Sequence, residues 1–139
     1  MDKQAFLAVA VPELNVDKGE VLTPARRMER RVVAAMLAHL AAHGFVPKHI
    51  WDGEEKNPVE SVGEAMEWVF NLDESVLYVK QRDTKRGYGI TLIPGNAWHE
   101  IINDHADPDE DPYGFVPLMD TFCNLMTELS DDATLFNPA

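Results

Sequence analysis

Apolar residues recur at helical spacing in three stretches of the chain, and four others read as strands, and these two periods define the expected elements. In the first helical stretch Met28, Val32, Val33, Met36, Leu37 and Leu40 share a face. Thr23 suits the N-cap, Pro24 the first helical position and Gly44 the stop beyond the end. Alanines 34, 35, 38, 41 and 42 favour helix and let neighbours approach closely. A second helix is expected to open at "NPVE", with Asn57 as cap, Pro58 at its start and Glu60 completing a capping box. Val59, Val62, Met66, Val69 and Phe70 form its buried stripe, which runs out near Leu72. A third begins around Val116–Pro117, with Leu118, Met119, Phe122, Leu125, Met126 and Leu129 on one side and Asp120, Asn124, Thr127 and Glu128 on the other.

The strand-like stretches are "FVPKHIW" at 45–51, "SVLYVKQ", "YGITLIP" and "WHEIINDH" at 98–105. Asp52-Gly53 ends the first, where Pro47 predicts an edge position or a break. On the last, Trp98, Glu100, Ile102 and Asp104 should share one face, and His99, Ile101, Asn103 and His105 the other. The order α-β-α-β-β-β-α predicts an α+β fold: a two-layer sandwich of three helices on a mostly antiparallel sheet of about four strands. A βαβ unit is expected between residues 45 and 82. With no repeat or linker, residues 1–139 are expected to form a single domain, its core joining Leu37, Leu40, Val69, Leu77, Leu92, Phe122 and Met126.

Composition adds a compartment and a charge map. The 139 residues are 45% hydrophobic and 26% charged, an ordinary globular mixture. Cys123 is the one cysteine, so no internal disulfide can form, which suits a reducing cytoplasm. The apolar run from Ala5 to Val11 is short for a signal-peptide core and follows Asp2, and no stretch has the length of a membrane span. A cytoplasmic location away from membranes is therefore expected. Net charge is −12, unevenly placed. Residues 1–53 hold seven Lys/Arg and six Asp/Glu, a net of +1, and residues 54–139 hold five and eighteen, a net of −13. No Lys or Arg follows Arg86. Such a chain repels nucleic acid and anionic membrane and attracts a basic protein surface.

Candidate chemistry is sparse. "HADPDEDPYG", with Asp104 just before it, places five acids, Asp104, Asp107, Asp109, Glu110 and Asp111, within eight residues. Asp107, Asp109 and Asp111 have calcium-loop spacing, but Pro112 and Leu118 stand where an EF-hand needs glycine and glutamate. With Pro108 and Pro112 bracketing it, the stretch reads as a rigid solvated loop. "HLAAH" sets His39 and His43 one turn apart, as zinc ligands often are, yet Leu40 occupies the glutamate position of the zincin motif and no third ligand is fixed. No metal ion or other cofactor is expected. His99, Glu100, Asp104 and His105 make the most catalytic-looking group, without an evident nucleophile, since Cys123 falls between Met119 and Met126 at core spacing. Arg26, Arg27, Arg30 and Arg31 repel one another near the positive end of a helix, so acids of the same chain should pair with at least one of them.

The stretches "WDGEE", "LDESVLYV" and "IPGNAWHEIINDH", in that order, resemble small uncharacterised reading frames carried by phages and plasmids. The likeness covers about residues 23–130 and implies a small α+β accessory protein without implying a reaction. Two functions stand as expectations. One is an acidic accessory or inhibitor module of a mobile genetic element that engages a basic protein surface through Asp104, Asp107, Asp109, Glu110 and Asp111, with no direct nucleic-acid binding. A special case is imitation of nucleic-acid phosphates by those acids. The other is a small enzyme or ligand-binding domain using His99, Asp104 and His105, with or without a metal. A concave pocket holding two of those three side chains would favour the second.

Overall fold

Alternation of covered and partly exposed residues along two neighbouring inner strands, broken only at the last residue of one, shows a sheet with helices on one face only. The computed structural model describes residues 1–16, 22–95, 97–132 and 134–135. Its elements run α1 (Lys3–Ala8), α2 (Pro24–Ala41), β1 (Phe45–Trp51), β2 (Lys56–Pro58), α3 (Val62–Asn71), β3 (Ser75–Gln81), β4 (Tyr88–Leu92), a 3-10 turn (Trp98–Glu100), β5 (Ile102–His105) and α4 (Phe115–Ser130). The strands form one antiparallel sheet in the order β2-β1-β3-β4-β5. The fold is α+β, as the periodicity predicts, with one short helix and one short strand more than expected.

The covered face of the sheet supplies Phe45, Ile50, Leu77, Val79, Tyr88, Ile90 and Leu92, all buried. Against them pack Val33, Met36, Leu37 and Leu40 of α2, Met66 and Val69 of α3, and Phe115, Phe122 and Met126 of α4. Every residue of the expected core lies in this cluster. Burying each large aliphatic or aromatic side chain contributes about 1.5–3 kcal/mol before the entropy of ordering it.

Thr23 caps α2 as expected, its hydroxyl accepting from the Arg26 amide. The chain leaves α2 through Gly44, whose φ of 87° few other residues adopt. Pro47 does not lie on an edge strand, because β1 sits between β2 and β3. The alternative expectation, a break, is what forms: the register shifts between Pro47 and His49, beyond the reach of the short β2.

Two expectations are corrected. The helix expected at "NPVE" starts later. Asn57 turns its amide to the Ile50 and Glu55 carbonyls and the Asp52 carboxylate, and Lys56–Pro58 pairs with β1 as β2. The capping box is Ser61 with Glu64: the Ser61 hydroxyl accepts from the Glu64 amide, and the Glu64 carboxylate accepts from the Glu60 amide. The βαβ unit expected between residues 45 and 82 forms as a split one, because β1 runs antiparallel to both β2 and β3 and so leaves those two parallel. The crossover through α3 joins β2 to β3, with β1 between them. Lastly, "WHEIINDH" is not one strand. Trp98–Glu100 turn as a 3-10 helix that buries Trp98, followed by the fully buried Ile101. A register shift then places Ile102 opposite Leu92 and His105 opposite Ile90, so both share the covered face, against the predicted alternation.

Candidate functional site

The segment from Trp98 to Gly114 carries most of the candidate residues, and two anchors hold it. Upstream, the Glu29 carboxylate of α2, itself buried, accepts the Gly95 amide at 2.7 Å just before the 3-10 turn. Downstream, Asp111 accepts the amides of Phe115 and Val116, each at 2.8 Å, and so closes the start of α4. Gly114 makes the turn at φ 70°. Phe115 then buries its ring at 4.8 Å from Tyr88 and 5.7 Å from Phe45.

Between those anchors the catalytic-looking group is dispersed. Asp104 is exposed on β5 and accepts the amide of its own neighbour His105. The His105 ring points the other way. Its Nδ1 donates to the Ala106 carbonyl at 2.9 Å, its Nε2 lies 3.5 Å from an Asp120 carboxylate oxygen on α4, and its ring sits 6.0 Å from Phe115. His105 ties β5 to α4. His99 is on the 3-10 turn, with Nε2 3.8 Å from Glu100 and Nδ1 buried without a hydrogen-bond partner.

His99 and Glu100 border a cleft of about 450 Å³ between the 3-10 turn, β5 and α4, with Ile102, Asn103, Cys123, Met126, Thr127 and Ser130 as its other walls. Its chemistry is subdued. Burial first, and then the Asp120 carboxylate, push the Cys123 thiol above its ordinary value, away from the reactive thiolate. The Thr127 hydroxyl donates to the Cys123 carbonyl, and the Ser130 hydroxyl to the Thr127 carbonyl, so both are engaged with their own helix. The cleft holds His99 but neither Asp104 nor His105. A shallow groove elsewhere has both Asp104 and His105 on its border, but their side chains leave opposite faces of β5.

The acidic loop divides as well. Asp111 was expected on an interaction surface with Asp104, Asp107, Asp109 and Glu110, but both its oxygens serve the helix start. Asp107, Asp109 and Glu110 are exposed, and beside them Tyr113 is 47% exposed, more than any other large apolar side chain among the described residues. The charge of the loop drew attention away from Tyr113, although an aromatic in a polar, proline-bracketed loop is a readable signal. Among the described residues, no three His, Cys, Asp or Glu side chains gather as a metal ligand set.

His39 and His43 have local work. His39, buried against Phe122, donates from Nε2 to the Leu118 carbonyl, and His43 donates from Nδ1 to the His39 carbonyl. Burial, and next the charge of the chain's amino terminus, hold His39 below its ordinary pKa. Of the four arginines, Arg26 meets Glu29 at 3.4 Å, the expected acid partner, though from the same helix. Arg31 closes the end of α1 by donating to the carbonyls of Phe6, Leu7 and Val9. Arg27 donates to the Leu22 carbonyl, and Arg30 lies 5.7 Å over the Phe70 ring.

Comparison of the chain with protein-family models, curated proteins and solved structures finds no match. Among the described residues, no helix is long and apolar enough to cross a membrane.

Proposed function

We propose that the protein is a binding module that presents Tyr113 with Asp107, Asp109 and Glu110 to a basic surface of another protein. The observation that carries this reading is the fixed loop: Asp111 and Phe115 hold its base while its aromatic and three of its acids face solvent. Aromatic side chains that bury at the centre of an interface supply much of its affinity, and surrounding charges set orientation and encounter rate. The acids disfavour nucleic acid as the direct partner. Residues Asp104, His105 and His99 have no part in catalysis in this reading. The likeness to reading frames of phages and plasmids accords with an accessory or inhibitor role.

The test is cross-linking capture from the native host, followed by titration of the purified partner against wild type, Tyr113→Ala and the triple variant D107N/D109N/E110Q. Tyr113→Ala should weaken binding at least tenfold. The triple variant should slow association and remove most of the salt dependence. Unchanged affinity in both variants contradicts the proposal.

The unpartnered Nδ1 of His99 favours a second reading, a small polar ligand in the neighbouring cleft. A fragment screen followed by the histidine ring signals in NMR tests it. A hit that moves the His99 signal and is lost in His99→Phe supports it, and no hit removes it.

A further inference from the structure

The face of the sheet turned away from the helices is laid out in rungs fixed by the strand pairing. Trp51, Val76 and Thr91 form one, His49, Tyr78 and Gly89 the next, and Val46 with Lys80 a third. Among the described residues, no helix covers them. Trp51 is 37% exposed, and Val46, Val76, Tyr78 and Thr91 are partly so. The middle rung is flat. His49 stacks on Tyr78 at 4.5 Å, and a Cβ at Gly89 would come within 3.3 Å of the Tyr78 ring and 3.0 Å of Val76. Glycine therefore lets Tyr78 lie across β4, beside a groove of about 390 Å³.

The two ends of this face carry opposite charge. At the Trp51 end, the β1–β2 turn and the start of β3 present Asp52, Glu54, Glu55 and Glu74, relieved only by Lys56 at the start of β2. At the other end, β3 and the β3–β4 turn present Lys80, Arg82 and Lys85, with Lys48 bonded to the Lys85 carbonyl and Asp83 as the one acid of that turn, while Arg86 turns away over the Tyr88 ring. Among the described residues, no carboxylate pairs with Lys48, Lys80, Arg82 or Lys85.

We propose that this face is the contact surface of a homodimer, in which a second copy packs sheet on sheet with its strands reversed. A two-fold axis lying across the strands sets the basic end of each copy on the acidic end of the other, which is the self-complementarity an isologous interface needs. Edge-to-edge pairing is a poorer route, because β2 has three residues and β5 four. A nucleic-acid strand laid along the same rungs meets the acidic end and a chain of net charge −12. Strands spaced about 4.8 Å apart, rising about 3.3 Å per residue, give a contact roughly 20 Å on a side, about 400 Å² per copy, which is the size of a weak, transient interface. The dimer is therefore concentration-dependent. It does not rest on the reading of the acidic loop and is tested without the partner.

Sedimentation equilibrium on the purified chain tests it with two charge-reversal variants, K80E/R82E/K85E and E54K/E55K/E74K. Wild type should pass from monomer mass to twice that mass across the micromolar range. Each variant alone should stay at monomer mass, and their equimolar mixture should regain the dimer. Trp51→Ala, which changes no charge, should also remove it, and thermal melting followed by circular dichroism checks that each variant is folded. A wild type that stays monomeric throughout overturns the proposal. So does a dimer that persists in both charge variants, or a labelled single-stranded oligonucleotide that binds wild type and not K80E/R82E/K85E.

Discussion

Leu77 and Val76 are neighbours on β3, yet one belongs to the folding of the protein and the other to its surface. The face holding Leu77 is closed by three helices, and its Ile50, Leu77, Val79, Tyr88, Ile90 and Leu92 are fully buried or nearly so. The face holding Val76 carries an exposed tryptophan, a flat aromatic stack and two ends of opposite charge. The same split recurs in the 98–115 segment: Trp98, Ile101 and Phe115 point in, and Asp107, Asp109, Glu110 and Tyr113 point out. Apolar residues alone do not mark the core; the covering layer decides which of them stabilise the fold.

The comparison breaks most sharply at the buried face. Leu77→Ala and Phe122→Ala should cost about 2–5 kcal/mol in urea denaturation, through lost transfer energy and the cavity left behind. Val76→Thr should change stability by about 0.5 kcal/mol or less. Equal losses at residues 76 and 77 would mean that something covers both faces of the monomer.

A smaller contrast separates the acids. Asp111→Ala should cost about 0.5–2 kcal/mol, because two amides at the start of α4 lose their acceptor. Asp109→Asn should be neutral within about 0.5 kcal/mol. Equal effects would show that the loop is not held by Asp111.

The pH dependence is the mildest effect and draws on both faces. Burial holds His39, under the helices, below its usual pKa. Burial, and after it the charges of Lys48 and Lys56, does the same to His49 on the open face. The unfolded chain therefore takes up these protons first as pH falls. The stabilisation is complete above the ordinary histidine value of 6.5 and is lost progressively below it. Melting temperature should fall between neutral pH and the mid-five range, and less so in His39→Gln, measured by circular dichroism. A melting temperature that rises on acidification would contradict this assignment.

The helix α2, the strands β1, β3 and β4 and the whole expected core were legible, because each combines a clear period with turn or cap residues. The start of α3 was not: Asn57-Pro58 resembles a cap and a first helical residue, and only pairing with β1 makes it a strand. The true signal, Ser61 with Glu64, stood a few residues on. The segment 98–105 misled because alternation continues through a 3-10 turn and a register shift. For the site, the acidic loop was visible in composition, but that Asp111 caps and Tyr113 protrudes depends on how α4 begins. The charged clusters at 52–55 and 80–86 were visible, but that they stand at opposite ends of one open face depends on the sheet order.

The central claim is that this protein works through a presented surface, with Tyr113 and its three acids at the contact. The most direct measurement is the affinity of the captured partner for wild type, Tyr113→Ala and D107N/D109N/E110Q, side by side at low and high salt. The account predicts a loss of at least tenfold for Tyr113→Ala at both salts, and a loss for the triple variant that shrinks as salt rises. Wild-type affinity in all three proteins, unmoved by salt, would contradict it.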